Sequence, residues 1–383
     1  MKKNILLLTE NFPPIEGGSG RWFWELYSRL EPDRIVIATH DFDEGRQFDL
    51  EKQLNIVRLP LRSIEWGFRS ISGLLFYWRC FWQVKALIKR YDISEIHCGR
   101  VIHEGVTAWL LKLVSGMPYK CYVHGEDVET AATSREQALL VRQVCKQSDL
   151  LICNSENSKS LVSTLDFEST EKCTVLNPGV DTSQFLPAPT DKNYKSKMGW
   201  QDKTVLLTVG RLQRRKGQDY LVKAMPHLLK QFPNLFYAIV GRGECEDELR
   251  NSVTELGLTD HVGIYTDLDD EALVKSYQQC DIFILPNRTI GNDIEGFGMV
   301  LVEAQACGKP VIAGDSGGTA ETMLVGESGE IIDCSSPERL ASALNDVLKN
   351  KEFLNFGDKG LIHVRSTLDW NAHVEKAKAL FKL

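Results

Sequence analysis

The chain has 383 residues, of which 43% are apolar and 25% charged, with a formal net charge of −7. This length is typical of two domains, each with its own core. The acidic balance gives no reason to expect nucleic-acid binding, and no uncharged apolar run is long enough to span a bilayer. We expect a soluble, cytoplasmic globular protein that begins with a strand and not with a signal peptide.

The ten cysteines are scattered along the chain and form no Cys-x-x-Cys pair. Neither a zinc site nor a redox motif is therefore indicated. Several cysteines lie in apolar runs, where a reduced thiol behaves as a small hydrophobic side chain. We expect that the protein needs no metal and no cofactor.

The first half of the chain alternates apolar strands with helices. Residues 4–9 form a continuous apolar run, which is typical of a strand buried on both faces of a parallel sheet. Two prolines then open a loop in which Gly17 and Gly18 precede a helix over 21–30, and glycines at such a place let the backbone approach a ligand closely. A dinucleotide fold would need a third glycine where Phe23 stands, so a nicotinamide-dependent oxidoreductase is a weaker alternative.

Residues 62–90 differ in character from the rest of the chain, because six basic side chains alternate there with aromatic ones and only one acidic side chain is present. Such a segment resembles an interfacial helix that touches anionic lipid. The alternative is an amphipathic helix whose aromatic side chains pack on the sheet. Both interpretations remain open, and a peripheral contact with the inner face of a membrane follows only from the first.

A later strand, predicted over 119–124, ends in His124. Ligands of open parallel sheets bind at the carboxyl ends of strands, so His124 is a candidate site residue, although a lone histidine is usually structural. Two further strands follow. Residues 186–203 are poor in apolar side chains and rich in proline, lysine and aspartate, and we place a domain boundary there.

The alternation of strands and helices restarts at residue 204, which again indicates a doubly wound parallel sheet. The first strand of this half ends at Gly210, and Arg211 and Lys216 then flank the start of a helix over 218–231. Cations before a helix N-terminus oppose its dipole unless an anion is bound there. The loop therefore predicts an anion site that both side chains can reach, and a solvated basic loop is the plainer interpretation.

An apolar strand over 280–286 leads into a glycine-rich loop over 287–298 and a short helix that ends before Gly308. This order forms an anion site, because unpaired amides and the helix dipole converge there. Glu295 and Glu303 flank those amides, and a fully helical segment between them would place them about 12 Å apart. This is the span from a hexose to a ribose across a diphosphate, so the spacing suggests a nucleotide-sugar site. Alternatively, Glu303 is a solvated helix residue and Glu295 a turn residue.

Three more helices are predicted beyond this loop. One begins at about Thr319, and the others cover 337–348 and 371–381. We expect the last helix to cross back to the first domain. The predicted division of the chain is 1–185, 186–367 and 368–383.

Together these positions resemble the retaining glycosyltransferases of family 4. The motifs occur in the right order over nearly the whole chain: Gly17-Gly18, His124, Gly210-Arg211 with Lys216-Gly217, Glu295-x7-Glu303 and Ser316-Gly317-Gly318. The run from Glu295 to Gly308 looks most like that of the phosphatidylinositol-mannoside and related GDP-mannose-dependent mannosyltransferases. The resemblance implies an α/β architecture, the GT-B fold, with two Rossmann-like doubly wound parallel-sheet domains facing a central cleft.

The resemblance also implies roles for single residues. Arg211 and Lys216 would neutralise the leaving diphosphate. Glu295 would hold the transferred sugar through its hydroxyls, and His124 would contact that sugar near its primary hydroxyl. The implied donor-binding residues are Gly17, Gly18, Gly210, Tyr265, Thr266, Gly296, Phe297, Gly298, Met299 and Glu303.

Within that donor-binding set the contacts differ. The amides of residues 296–299 would bind sugar and phosphate, and Glu303 would bind the ribose. Tyr265 and Thr266 stand where the family places the edge that contacts the base. The glycines at 17 and 18 would let the loop of the first domain reach the phosphates.

The implied mechanism needs no pair of catalytic carboxylates. The family is thought to retain the anomeric configuration by same-face attack, with the leaving phosphate taking the proton of the acceptor. Fixed cations aimed at the diphosphate stabilise such a transition state without a metal. A retaining hydrolase, in contrast, uses two carboxyl groups about 5 Å apart. The acidic pair Glu126-Asp127 after His124 departs from the mannosyltransferases and leaves the acceptor open.

The sequence therefore predicts a retaining, metal-independent glycosyltransferase that moves a hexose, mannose from GDP-mannose, to a lipid-linked or saccharide acceptor. One alternative is a transferase of the same fold that uses UDP-glucose or UDP-GlcNAc. Others are a sugar-nucleotide epimerase or phosphorylase, a non-catalytic sugar-nucleotide sensor and the oxidoreductase. The expected partners are the nucleotide-sugar donor and the acceptor, and not nucleic acid.

Overall fold

The computed structural model describes residues 4–15, 17–52, 54–63, 67–125, 128, 134–165 and 167–383. The chain divides into two compact units. The first unit comprises the residues up to Pro178 together with His373–Leu383, and the second comprises Gly179–Ala372. The sequence placed these divisions at 185 and 367.

The first unit is built on a seven-stranded parallel sheet. Its strands, in chain order, are β1 Asn4–Thr9, β2 Ile35–His40, β3 Asn55–Leu59, β4 Ile93–Cys98, β5 Tyr119–Val123, β6 Leu150–Cys153 and β7 Cys173–Val175. The spatial order is β3-β2-β1-β4-β5-β6-β7, with every neighbouring pair parallel. The central strands are buried along almost their whole length, which explains their continuous apolar sequences.

Helices cover both sides of this sheet. They are α1 Gly18–Tyr27, α2 Gly45–Glu51, α3 Ile71–Tyr91, α4 Val106–Ser115, α5 Arg135–Gln147, α6 Glu156–Leu165 and α7 Phe167–Thr170. Helix α3 begins where the Ser70 hydroxyl caps it by accepting from the Gly73 amide at 3.0 Å. No helix within the described residues combines the length and the apolar character needed to cross a bilayer.

The second unit contains a six-stranded parallel sheet. Its strands are β8 Thr204–Val209, β9 Leu235–Val240, β10 Val262–Tyr265, β11 Ile282–Leu285, β12 Val311–Gly314 and β13 Gly329–Ile332. The spatial order is β10-β9-β8-β11-β12-β13. The order reverses at β8 and β11, so the loops that follow these two strands lie side by side at the switch point where such sheets bind ligands.

The remaining helices are α8 Lys192–Lys197, α9 Gln218–Leu228, α10 Glu246–Glu255, α11 Asp270–Gln279, α12 Met299–Ala306, α13 Pro337–Lys349, α14 Phe356–Thr367 and α15 Trp370–Phe381. From His373 onward, α15 belongs to the first unit. There the ring of Phe381 stacks on Tyr27 at 6.1 Å and lies 4.4 Å from the ring of His97. The hydroxyl of Tyr27 is 2.6 Å from Nδ1 of His97, so Phe381 closes over a buried polar pair.

The prediction of a helix from about Thr319 is wrong. Only a four-residue 3-10 turn, Thr319–Thr322, is formed there. The hydroxyl of Thr319 donates to the carbonyls of Gly314 and Ser316, which ties this segment to the end of β12. The chain then continues as strand β13.

Candidate active site

The loops that follow β8, β11 and β12 pack backbone against backbone. A Cβ atom on Gly217 (φ 77°) would lie 1.7 Å from the carbonyl oxygen of Pro286, and one on Gly317 (φ 64°) would lie 1.9 Å from that of Glu295. The amide of Gly318 donates to the same carbonyl of Glu295 at 2.9 Å. Glycine is thus required at both places, and the contacts fix the backbone of Glu295.

Two cations from the loop after β8 meet Glu295. Nζ of Lys216 lies 2.5 Å from Oε2 of Glu295, and Nη1 of Arg215 lies 2.7 Å from the same oxygen. Nε of Arg215 also lies 3.0 Å from Oδ1 of Asp293. Lys216 and Glu295 are 9% and 8% exposed, so this is a buried ionic cluster.

Glu295 is ionised in this cluster. Burial raises the pKa of its carboxyl, but the charges and hydrogen bonds of Lys216 and Arg215 outweigh burial and hold the pKa below its usual value. The result is a carboxylate with one oxygen held by two cations. Such a group can accept hydrogen bonds through its second oxygen, and it is a weak base.

The N-terminus of α12 lies directly after this carboxylate. Its N-cap residue, Gly298 (φ 97°), provides no side-chain cap for the first amides of the helix. These amides and the helix dipole favour an anion. Because α12 begins only at Met299, Glu295 lies in the loop before it, and the predicted helical spacing of about 12 Å to Glu303 does not apply.

Glu303 is buried on α12 and is not a surface residue. Its Oε2 accepts a hydrogen bond of 2.6 Å from the hydroxyl of Tyr277. Tyr277 lies in the core of the second unit, where its ring stacks on Phe283. The tyrosine therefore fixes the direction of this second carboxylate.

Arg211 differs from the other cations of its loop. Arg214 lies 3.1 Å from Glu248, and Arg215 and Lys216 contact Glu295. Arg211 is exposed, and its guanidinium makes no ion pair within the part of the chain that the structure describes. Carboxylates of the same unit thus compensate three of the four charges that the sequence shows before α9, and Arg211 is left for another anion.

Tyr265 and Thr266 lie at the carboxyl end of β10. The hydroxyl of Tyr265 donates to the carbonyl of Met198 at 2.7 Å and accepts from Nε1 of Trp200 at 3.1 Å. The hydroxyl group of Tyr265 is therefore already engaged in hydrogen bonds within the second unit. The carbonyl of Thr266 accepts from Nε of Arg242 at 2.7 Å, so the contact to a base stays a prediction for this edge.

The predicted residues of the first unit also lie at strand ends. His124 follows β5, and its Nε2 is 2.8 Å from the carbonyl oxygen of Gly99, which follows β4. The rings of Trp22 and Phe23 contact the imidazole edge-to-face at 5.6 and 5.8 Å. This histidine is half-buried and oriented by packing. Glu126 and Asp127, the acidic pair noted beside it, lie outside the described residues.

Gly17 and Gly18 mark the start of α1. Gly17 is the N-cap residue, and Gly18 is the first residue of the helix and not part of the loop. No side chain caps these first amides. The predicted approach of this backbone to phosphate agrees with an open helix N-terminus but stays a prediction.

Arg288 and Arg215 are residues of the site that we did not single out in the sequence. Arg288 forms a two-pronged ion pair with Asp219 at 2.8 and 2.9 Å, and its guanidinium stacks 3.7 Å from the centroid of the Tyr220 ring. Its amide also donates to the carbonyl of Arg215 at 2.8 Å. The sequence did contain a signal for an ion pair at this place, because Asp219 lies in the first turn of α9, shortly after a loop with four cations.

Within the described residues, no three histidine, cysteine or acidic side chains gather in a group that could hold a metal ion. The expectation that the reaction needs no metal stays a prediction.

Comparison with known proteins identifies the family. Residues 16–184 match Glycosyltransferase Family 4, and residues 190–357 match Glycosyl transferases group 1. A GDP-mannose-dependent alpha-(1-6)-phosphatidylinositol monomannoside mannosyltransferase of Mycolicibacterium smegmatis is 31% identical over 90% of this chain and 89% of its own length. The monoacylated-substrate counterpart of Corynebacterium glutamicum is 28% identical over 98% and 96%.

Solved structures show the same fold. Anabaena HepE in complex with UDP superposes with a TM-score of 0.82 at 19% identity, covering 99% of this chain and 100% of its own. Sucrose-phosphate synthase from Thermosynechococcus elongatus gives 0.79 at 20% identity, covering 99% and 98%. The chain therefore belongs to glycosyltransferase family 4 and is a glycosyltransferase of the GT-B fold.

Proposed function

We propose that this glycosyltransferase transfers mannose from GDP-mannose to a lipid-linked or saccharide acceptor, with retention of configuration and without a metal ion. The observation that carries the proposal is the buried cluster of Lys216, Arg215 and Glu295 beside the uncapped N-terminus of α12. It places the ammonium group of Lys216 and the first amides of α12, which suit a diphosphate, beside a carboxylate that suits hydroxyl groups. The names of the relatives at 31% and 28% identity support GDP-mannose as the donor.

In this proposal Lys216 and Arg211 bind the diphosphate and stabilise its charge as it leaves. The first amides of α12 bind the same group. Glu295 accepts hydrogen bonds from the sugar hydroxyls, and Glu303, held by Tyr277, accepts those of the ribose.

The state of Glu295 supports its role as a binding group. A general base works best with a pKa near the working pH, whereas two cations hold this carboxylate ionised, with its pKa below the usual value. Its engaged oxygen also argues against a covalent intermediate on this residue. We therefore assign the acceptor proton to the leaving phosphate.

A donor screen tests the proposal. The purified protein is incubated with GDP-mannose, UDP-glucose or UDP-GlcNAc and with lipid and sugar acceptors, while the released nucleoside diphosphate and the glycosylated product are measured. We expect turnover with GDP-mannose and an α-linked product by NMR. Turnover with a UDP-sugar alone would exclude GDP-mannose, and a β-linked product would exclude retention.

We further propose that helix α3 docks on anionic lipid. Its inner face packs in the core through Phe76, Tyr77, Cys80, Val84 and Leu87. Its outer stripe leaves Ile71, Leu74, Leu75, Trp78 and Trp82 largely exposed, with Trp78 65% and Trp82 51% exposed. These positions repeat at helical spacing and therefore form one apolar stripe. The inner face of α3 thus belongs to the core, as one sequence interpretation has it, and the exposed outer stripe supports the proposed contact with lipid.

Basic side chains flank the outer stripe of α3. Nζ of Lys85 lies 5.0 Å from the ring of Trp82, and Lys89 and Arg90 are exposed in the last turn. An apolar stripe with basic flanks suits a surface with apolar chains below anionic headgroups. Trp66, part of the predicted segment, lies outside the described residues.

Vesicle sedimentation tests this docking. We expect the wild-type protein to sediment with vesicles of phosphatidylcholine and phosphatidylglycerol, and the double variant Trp78→Ser with Trp82→Ser to stay in the supernatant. Ile362→Ser is the matched control, because Ile362 is 68% exposed on α14 of the other unit. A wild-type protein that never sediments would refute the docking.

A further inference from the structure

Arg215 helps to hold Glu295 ionised, but the proposed function gives it no contact with the donor. Its Nη1 lies 2.7 Å from Oε2 of Glu295, and its Nε lies 3.0 Å from Oδ1 of Asp293. Nζ of Lys216 donates to that same Oε2 at 2.5 Å. The Oε2 atom of Glu295 therefore accepts hydrogen bonds from the cationic side chains of two adjacent residues.

The two cations differ in mobility. Lys216 ends in an ammonium group on a flexible stem, whereas the planar guanidinium of Arg215 makes two contacts in a fixed geometry. The backbone of Arg215 is also fixed, because its carbonyl accepts from the amide of Arg288 at 2.8 Å. Lys216 can therefore turn toward another anion while Arg215 stays on Glu295.

A buried carboxylate that loses its only cation is strongly destabilised. When Lys216 turns to the donor diphosphate, Glu295 needs a second positive partner, and Arg215 provides it. The hydrogen bonds from both cations end on Oε2 of Glu295. The other carboxylate oxygen, Oε1, can then accept a sugar hydroxyl.

We propose that Arg215 is a positioning residue for sugar binding, which holds Glu295 in place while Lys216 engages the donor diphosphate. The inference rests on the proposed function, because it takes the sugar for Glu295 and the phosphate for Lys216. Arg215 itself touches neither group of the donor.

The variant Arg215→Gln tests this role, with GDP-mannose and GDP as probes. GDP has the diphosphate but lacks the mannosyl group, so its affinity does not depend on the contact between Glu295 and that sugar. We expect kcat/KM for GDP-mannose to fall about 10–100-fold, the range found when a residue that orients a metal ligand is lost. The Kd for GDP should change far less than kcat/KM, since no contact to the diphosphate is removed.

The pH profile gives a readout that a loss of stability would not move. The charged groups that face Glu295 are Lys216 and Arg215, with Asp293 behind Arg215. Burial raises the pKa of Glu295, and these two cations lower it. Loss of Arg215 should raise that pKa, so the acid limb of kcat/KM for GDP-mannose should move to higher pH.

Arg214→Gln is the matched control, because Arg214 precedes Arg215, is exposed and pairs with Glu248 instead. Asp293→Asn is a second variant, which keeps the charge of Arg215 and weakens its orientation. Asp293→Asn should also lower kcat/KM for GDP-mannose, but by a smaller factor than Arg215→Gln. It provides the test if Arg215→Gln unfolds under the assay conditions.

Two results would overturn the inference: an unchanged kcat/KM in Arg215→Gln, or equal losses for GDP and GDP-mannose, which would make Arg215 a phosphate ligand. A wild-type protein that turns over neither GDP-mannose nor UDP-glucose would instead overturn the proposed function, and the inference with it.

Discussion

Lys216 contacts Glu295 in the structure and is proposed to contact the donor diphosphate during transfer. Both contacts are possible for one ammonium group, because it has three donors on a flexible stem. The positive charge lies beside the N-terminus of α12, where negative charge would develop on the leaving group. In the proposed function, Lys216 would therefore stabilise the transition state more than the bound substrate.

Replacing Lys216 by alanine should lower kcat by at least about 100-fold, the loss found when a preorganised stabiliser of developing charge is removed. Steady-state kinetics with GDP-mannose measure this. Lys223→Ala is the control, since Lys223 is exposed on α9. Near-normal turnover in Lys216→Ala would contradict the phosphate role.

Gly317 offers a test of how the backbone of Glu295 is held. Alanine there should cost roughly 1–2 kcal/mol for the left-handed conformation, and more because its Cβ would lie 1.9 Å from the carbonyl oxygen of Glu295. Gly326 has φ 79°, and a Cβ added there would meet no atom within 4 Å, so Gly326→Ala bears the first cost alone. In urea unfolding, the free energy of unfolding should be well below that of Gly326→Ala when Gly317 is replaced by alanine. Equal free energies of unfolding would show that the contact relaxes without cost.

At the scale of elements, the turn Val101–Gly105 between β4 and α4 is irregular. His103 has φ 69° and ψ −75°, which is unusual for a residue other than glycine. Oε1 of the neighbouring Glu104 accepts from the amide of Glu10 at 2.7 Å. Oε2 is buried and has no partner among the described residues. A carboxyl group thus ties the loop after β1 to this turn.

Glu104 should make stability depend on pH. Burial, opposed by the charge of Arg100, raises its pKa to about 7. The folded protein therefore binds more protons than the unfolded chain between about pH 4.3 and 7. The stability from this group is complete below that window and is lost as the pH rises through about 7.

Glu104→Gln keeps the shape and cannot ionise, which gives the measurement for this prediction. Melting temperatures of the wild type should fall relative to Glu104→Gln as the pH rises from about 4.3 to 7, because only the wild type must bury a charge at the higher pH. Parallel curves for the two proteins would show that Glu104 is not protonated in the folded state.

The elements that the sequence predicted well are those with continuous apolar runs, such as β1, β5 and β8. The strands that we missed lie at the edges of the two sheets. Strand β3 is half-exposed, and its Arg58 pairs with Asp49, while β13 begins with Gly329-Glu330. Polar residues are tolerated there because only one side of an edge strand is covered by a neighbour, so the apolar signal is weak.

For the whole molecule, the family and the fold could be predicted, because Glu295, Glu303 and the glycines have fixed spacings. The partners of these residues could not. Lys216 and Glu295 are 79 positions apart, and Arg288 and Asp219 are 69 apart. Only the stacking of three loops at one end of the sheet brings them together, and spacing along the chain does not show which cation meets which carboxylate.

Metal independence is a prediction about the complete enzyme. In the proposed function, Lys216, Arg211 and the first amides of α12 would supply the positive charge that a divalent ion brings to a diphosphate in other enzymes. We expect kcat/KM for GDP-mannose to change by less than about twofold when EDTA is added, since no metal-held charge is removed. Loss of activity in EDTA with recovery on adding Mn²⁺ would contradict the proposal.

Helix α15 links the two units in an unusual sequence order. Phe381 and its neighbours complete the packing around Tyr27 and His97 in the first unit, yet they are synthesised after the whole second unit. The packing of the first unit therefore cannot be completed on the ribosome before the second unit has been synthesised. Until then, Phe381 does not cover the hydrogen-bonded pair of Tyr27 and His97. Chains that end near residue 372 should therefore be cleaved by proteases within the first unit faster than the full-length chain, although they contain most of the polypeptide.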